Sequence, residues 1–184
     1  MSLVERGAAW LGVAAIVLAL VGCAALPRAE FAAAGAALTG RLSVQVEAKG
    51  ETPARSLSAA FDLQGGPNAG RLDLSTPLGS VLAQARWSQT RVVLATPRGE
   101  TDFADLDALT REVLGESLPV AALFDWLRGR PWTGAPSTPI AAGSGAGFEQ
   151  LGWSVSLARF DEALVSARRD SPPPVTVRIK LDRP

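Results

Sequence analysis

The chain has 184 residues, 47% of them hydrophobic, and its 18 basic and 18 acidic side chains leave a formal charge of zero. Nothing in that balance attracts a polyanion, so nucleic acid is not expected as a partner. Histidine and tyrosine are absent and cysteine occurs once, which rules out a Ser-His dyad, a His-ligated metal, an imidazole acid–base and an internal disulfide.

Carboxylate or Ser-Lys chemistry remains formally open, but only Lys49 and Lys180 supply an amine. The chain reads as a non-enzyme with no cofactor and no metal. It opens with Arg6 and an almost wholly apolar run from Ala8 to Leu20, closed by Leu20-Val21-Gly22-Cys23. A run this short, followed at once by Ala- and Pro-bearing sequence, reads as a secretory signal and not a membrane span. An aliphatic residue, a small residue, glycine and cysteine in that order resemble a bacterial lipobox. The resemblance implies that residues 1–22 are a lipoprotein signal peptide and that Cys23 becomes the lipidated first residue. Acyl chains there, at about 0.8 kcal/mol per buried CH₂, anchor a protein to a bilayer without a spanning helix. The remaining 162 residues suit one domain with one sizeable core.

Residues 28–38 are Ala-rich, a short helix or a tether over 23–38. From Gly40 the period becomes two, with Leu42, Val44 and Val46 alternating against Arg41, Ser43, Gln45 and Glu47. Leu57, Ala59, Phe61 and Leu63 repeat the pattern, and Gly65-Gly66-Pro67-Asn68-Ala69-Gly70 makes a turn. Leu72 and Leu74 mark a third strand, and Val81 to Trp87 and Arg91 to Thr96 a fourth and fifth. Sequential strands with short links favour antiparallel pairing.

Asp102, Asp105 and Asp107 then crowd the expected start of a helix in which Leu106, Leu109, Val113 and Leu114 share a face and Gly115 ends the run. Carboxylates at a helix start satisfy free N–H groups and complement the dipole, about 0.3–1 kcal/mol each. This explains the cluster better than a metal site, since it lacks the glycine and distal glutamate of a calcium loop. A second helix opens at Pro119, carries Val120, Leu123, Phe124 and Leu127 at helical spacing, and stops at Gly129 and Pro131. Residues 130–147, with three prolines and Gly143-Ser144-Gly145-Ala146-Gly147, read as a flexible linker and not a phosphate loop. Strands resume over Leu151 to Ala158 with Trp153, Val155 and Leu157 on one face. Others follow over Ala163 to Arg169 and through Val175, Val177, Ile179 and Leu181.

This gives at least eight strands and two lid-like helices. Small residues on the apparent inner faces (Ala59, Ala83, Ala85, Gly152) allow a curved sheet to enclose a cavity. Helix Leu and Val side chains that simply fill the space satisfy the same periodicity, and both readings stand at this point. Ser75-Thr76-Pro77-Leu78-Gly79 joins two strands, and Pro77 with Gly79 sets Leu78 at the tip of a turn. On a tethered protein, an exposed leucine gains about 1.5–3 kcal/mol at most by dipping into lipid.

Taken together, several segments resemble the LolB family of outer-membrane lipoprotein receptors. They are Gly40-Arg41-Leu42-Ser43-Val44, Leu72-Asp73-Leu74-Ser75-Thr76-Pro77-Leu78-Gly79, Leu114-Gly115, Leu118-Pro119-Val120 and Leu123-Phe124-Asp125-Trp126-Leu127-Arg128-Gly129-Arg130-Pro131. The match runs from about Leu38 to Pro131, and the Gly-rich linker departs from it. The resemblance implies a mainly β fold, an unclosed antiparallel β-barrel with a helical lid over an apolar cavity, as a single domain over 39–184. It implies a monomer, lipid-anchored on the periplasmic face of the outer membrane, that accepts acylated lipoproteins from the carrier LolA and inserts them into outer-membrane lipid. In that family a leucine in a protruding loop serves membrane delivery, and it corresponds here to Leu78, between Pro77 and Gly79.

The cavity residues follow no family motif and are chosen from periodicity. From the sheet these are Leu42, Val44, Val46, Phe61, Leu63, Leu72, Leu74, Val155 and Val177, and from the helices Leu109, Val113, Leu123, Phe124 and Leu127. Three acyl chains, on the order of 40 methylenes, are worth roughly 30 kcal/mol if wholly buried, above the practical ceiling of about 20 kcal/mol for non-covalent affinity. Burial is therefore partial or offset by lid opening. A structural or assembly lipoprotein that docks a protein partner through its helices is the alternative.

Overall fold

The computed structural model describes residues 37–140 and 146–182, all within the compact unit Phe31–Pro184. The signal peptide, Cys23 and nearly all of the tether lie outside the described residues. Eleven strands follow in chain order: β1 (Leu38–Val46), β2 (Arg55–Gly65), β3 (Gly70–Ser75), β4 (Val81–Trp87), β5 (Val92–Thr96), β6 (Gly99–Phe103), β7 (Ser137–Pro139), β8 (Gly147–Gln150), β9 (Trp153–Ser156), β10 (Leu164–Arg169) and β11 (Val175–Leu181). Helices α1 (Leu106–Leu114) and α2 (Val120–Trp126) stand between β6 and β7.

All eleven strands form one antiparallel sheet in the order β6-β5-β4-β3-β2-β1-β11-β10-β9-β8-β7. The first and last strands pair at its centre, Gly40 opposite Leu181 through Val46 opposite Val175. The edges β6 and β7 are therefore the two strands that the helical segment connects, so that segment must run from one edge to the other. The edges suit their position. β6 carries Glu100 and Asp102, and β7 is three residues long and ends in Pro139; charge, brevity and proline all discourage further pairing. Among the described residues the sheet stays unclosed.

Alternation sets the inner face. Val44 and Val46, Phe61 and Leu63, Ala85 and Trp87, and Val175, Val177 and Ile179 are all buried, each two residues from the next, as a pleated strand requires. Gly70 shows how tightly the wall is built. A Cβ there would lie 2.4 Å from the Trp87 ring, so glycine lets the indole cross the strand, where its Nε1 donates to Gly66 O at 2.9 Å.

Several expectations need correction. Asp102 does not open a helix; it sits on β6, an edge strand whose charged residues hide its period. The supposed linker holds β7 and the start of β8. The stretch expected as one strand from Leu151 is a hairpin, in which Leu151 and Gly152 form the turn with φ of 53° and 76°. Gly152 is thus exposed and not part of the inner face. Strand β1 begins at Leu38, two residues before Gly40.

The half of the interior under β8–β10 is solid. Trp126 of α2 is fully buried and packs edge-on to Phe148 at 6.3 Å and against Trp153 at 6.2 Å. Its Nε1 donates to Gln150 Oε1 at 2.8 Å, and the Trp132 N–H donates to the same oxygen at 2.9 Å. Gln150 Nε2 donates to the carbonyls of Trp132 and Ala135, both at 2.7 Å. One buried amide, satisfied on both atoms, thereby fastens α2 and the segment after it to β8. Gln150→Leu strands several buried polar groups and is expected to cost roughly 3–5 kcal/mol; urea unfolding followed by tryptophan fluorescence would measure it as a lowered midpoint.

Candidate functional site

The other half of the interior is hollow. A cavity of about 140 Å³ lies between the sheet and the helices. Leu42, Val44, Leu57, Phe61, Leu63, Leu72, Leu74, Ala85, Trp87, Val177 and Ile179 line it from the strands. Leu106, Leu109, Thr110, Val113 and Leu114 contribute from α1, and Leu118, Val120, Leu123, Phe124 and Leu127 from α2 and its flanks. The single polar residue is spent: Thr110 Oγ1 donates to Asp107 O at 3.2 Å and accepts from the Leu118 N–H at 3.1 Å. The hollow therefore offers no directional partner, only apolar surface.

Small residues make the room. Across β3 and β4, Leu72 pairs with Ala85 and Leu74 with Ala83, so each leucine faces a methyl group and the wall is shallow there. Of the residues chosen from periodicity, Leu42, Val44, Phe61, Leu63, Leu72, Leu74, Leu109, Val113, Leu123, Phe124, Leu127 and Val177 line this cavity. Val46 and Val155 do not; both are buried in packed core, because Val155 stands on β9 in the solid half. The chosen set omits Leu57, Ala85, Trp87 and Ile179 on the strands and Leu106, Thr110, Leu114 and Val120 on the helices; Leu57, Ala85, Trp87 and Ile179 all keep the inward strand period. Leu118 follows no period, since it lies in the turn between the helices.

The two helices are held differently. α2 is locked by Trp126 and by Ala122, which is fully buried, and Phe124 packs edge-on to Trp87 at 6.1 Å. α1 keeps Leu109, Thr110 and Leu114 buried but leaves Val113 41% exposed at the cavity rim. Its start is capped by Asp105, whose Oδ1 accepts from the Ala108 N–H at 2.7 Å, and its end by Gly115 with φ of 83°. Both are local features that travel with the helix.

Two arginines clasp the corner between the helices. Arg55 on β2 faces Val46, Val46 faces Val175, and Val175 faces Arg169 on β10, all in one row. Arg55 Nη1 donates to Glu112 O at 3.5 Å. Arg169 Nη2 pairs with Glu116 at 2.8 Å, with its guanidinium 5.5 Å from the Trp153 ring centre. Polar contacts at a corner break and reform more readily than a buried interlocking core.

A second apolar feature lies outside. Leu78 is 96% exposed at the tip of the β3–β4 hairpin, and Val81 and Leu82 beside it are exposed as well. The tip is ordered: Thr76 N donates to Ser80 O at 2.8 Å, Gly79 N to Thr76 O at 2.9 Å, and Ser80 N to Thr76 Oγ1 at 3.1 Å. Gly79 takes φ of 86°, a conformation that glycine adopts at no steric cost. No charged residue occurs from Leu74 to Leu82.

Two exposed acidic residues are held in ion pairs that shift their carboxyls. A hydrogen bond from Arg91 (Nε to Oδ1, 2.7 Å) holds the Asp102 carboxyl below its ordinary value, and one from Arg159 does the same for Glu162. Depressed carboxyl values give stability that is present above the unfolded value and lost as pH falls through the folded one. With no histidine in the chain, no side chain of ordinary pKa titrates between about 5 and 8. Thermal melts are expected to be flat over that window and to fall only below it, with salt weakening the loss at these exposed pairs.

Together these features define an open antiparallel β-barrel, roofed by helices around an apolar hollow. The family profile described as "Outer membrane lipoprotein LolB" matches residues 36–183. The chain is 34% identical to an outer-membrane lipoprotein LolB of Bordetella petrii, over 95% of this chain and 92% of that protein. It is 34% identical to one of Cupriavidus necator, over 90% of each, and 32% identical to one of Neisseria meningitidis serogroup A, over 77% and 73%. The chain belongs to the LolB family and is a lipid-anchored outer-membrane lipoprotein of the Lol localisation system. The similarity continues past Pro131 and through the Gly-rich stretch, further than the motifs alone reach.

Proposed function

We propose that the protein is a receptor that takes acylated lipoproteins from the periplasmic carrier LolA, shelters their acyl chains in the cavity, and inserts them into the outer membrane. The observation that carries this reading is the hollow, lined by apolar side chains whose one hydroxyl is already engaged. In this reading Cys23 carries the anchor, residues 39–184 are the binding domain, and the monomer acts without cofactor or catalysis. The alternative, a lipoprotein docking a protein partner through its helices, needs an exposed apolar stripe. Leu109, Leu114, Ala122 and Phe124 are instead buried against the sheet.

Size argues that the roof moves. A cavity of about 150 Å³ holds one benzene, and this one, about 140 Å³, is far too small for three acyl chains. Binding must displace part of the lid, which also lowers net affinity from the roughly 30 kcal/mol of full burial. α1 is the part that swings, because α2 is tied through Trp126 to Gln150. The Arg55 and Arg169 contacts release first. An intermediate affinity suits a relay, which must hold cargo more tightly than its donor and less tightly than a bilayer.

The test is direct binding of an acylated peptide by the secreted Cys23→Ala form, followed by fluorescence. Micromolar or tighter binding is expected; no binding at any acyl length would sink the reading. Ala85→Trp fills the hollow and is expected to weaken binding about tenfold. Leu78→Glu is expected to leave peptide binding intact while abolishing delivery of bound lipoprotein to liposomes.

A further inference from the structure

The outer face of the sheet beside the Leu78 hairpin carries a cluster of three cations, two of which make no side-chain bond among the described residues. Arg41 on β1 stands directly opposite Lys180 on β11, and Arg178 lies two residues along the same strand, opposite Ser43 and Ser166. Like charges directly opposite on neighbouring strands destabilise a sheet. Neither Arg41 nor Arg178 makes an ion pair or side-chain hydrogen bond among the described residues. Lys180 donates only to a backbone carbonyl, that of Glu162. Three carboxylates lie near this face: Glu162 pairs with Arg159 at 2.6 Å and is also within electrostatic reach of Lys180, Asp62 accepts from Gln64 Nε2 at 3.1 Å, and Asp182 stands two residues from Lys180, just past the end of β11.

These cations share a groove. Arg41, Ser43, Ser58, Arg178 and Lys180 line a surface depression of about 320 Å³, one wall of which is Pro77, the residue before the exposed Leu78. Leu42, Ala59, Ala60 and Leu164 complete the lining, so a largely apolar depression bearing three cations and two hydroxyls adjoins an uncharged apolar tip. Cations set in an apolar depression, beside apolar residues that protrude into solvent, match a surface of phosphate headgroups with hydrocarbon beneath them. About 15 residues separate Cys23 from Leu38, at most about 50 Å of chain, so the groove stays within reach of the anchoring bilayer.

We propose that the groove of Arg41, Arg178 and Lys180 docks the anionic headgroups of a lipid bilayer and so sets the orientation in which the Leu78 tip enters it. The proposal rests on the reading that Leu78 touches lipid. The cations steer and hold the face, and the leucine supplies the apolar contact. Removing charge should weaken tip insertion roughly fivefold for each arginine, with a strong salt dependence.

The experiment uses the full lipidated protein in vesicles, with Ser80→Cys labelled by an environment-sensitive dye, Cys23 being acylated. The vesicles are phosphatidylcholine alone or a mixture with phosphatidylglycerol. The expected result is bright dye in the anionic vesicles, dim dye in the neutral ones and dim dye in both for Arg41→Gln/Arg178→Gln. Arg41→Lys/Arg178→Lys should restore the signal, and unchanged melts would show that the variants fold. Equal brightness in both vesicle types, unaltered by the glutamine pair, would overturn the headgroup role while leaving Leu78 in lipid. Dim dye under every condition would overturn the Leu78 reading with it. If the glutamine pair keeps its tip bright but loses transfer from the carrier, the groove docks an acidic protein face and the lipid assignment fails.

Discussion

The structure depends on the pairing of its first and last strands in the middle of the sheet. A strongly curved antiparallel sheet has one apolar face to cover and two open edges to manage. Joining β1 to β11 leaves β6 and β7 as those edges, and only the segment that holds the helices connects them. That segment must cross the concave face, and its apolar stripes meet the sheet from above. The roof is thus a consequence of strand order. A helix pair appended at either terminus could leave the sheet without uncovering its edges; this one cannot.

Within that frame the two halves of the interior were given different contents. Under β8–β10, large aromatics and one fully bonded amide fill the space. Under β2–β5, alanines stand opposite leucines and a gap remains. At about 24 cal/mol per Å³, a void of about 140 Å³ costs on the order of 3 kcal/mol relative to a filled core. A domain of this size tolerates that, and an apolar ligand that enters the void recovers it as binding energy. The solid half then acts as an abutment. In the proposed function it keeps α2 fixed while α1, held by local caps and two arginines, yields.

Much of this was legible in the sequence, and the omissions have physical causes. Strands with one wet face announce themselves, so Leu42, Val44, Phe61, Leu63, Leu72 and Leu74 are readable as one surface from their period alone. Edge strands do not, because β6 and β7 bury little and their charges and proline mimic a loop. Whether the interior is hollow was not readable either. A filled core and an empty one share the same period, and the difference lies in cross-strand partners such as Leu72 with Ala85. The same limit explains Val155, which has the right period on the wrong side of the molecule. The outward Leu78 was readable for the opposite reason: a turn between proline and glycine has no core to face.

Hairpin geometry links the cavity to the exterior. Leu74 lines the hollow, and Leu78 lies four residues further along the same hairpin, at most about 13 Å away at strand rise. One leaflet's hydrocarbon is about 15 Å deep, and an acyl chain spans that depth. In the proposed function, once the tip sits in lipid, a chain leaving the cavity along the β3 wall has one end in the bilayer before the other has left the protein. Water never surrounds the whole chain, so the barrier to transfer is a fraction of the full solvation cost of about 0.8 kcal/mol per methylene. A leucine displaced by several residues, or a longer and more mobile loop, would restore a wet gap. The ordered turn that holds Leu78 therefore matters as much as the side chain, because it fixes the length of the path.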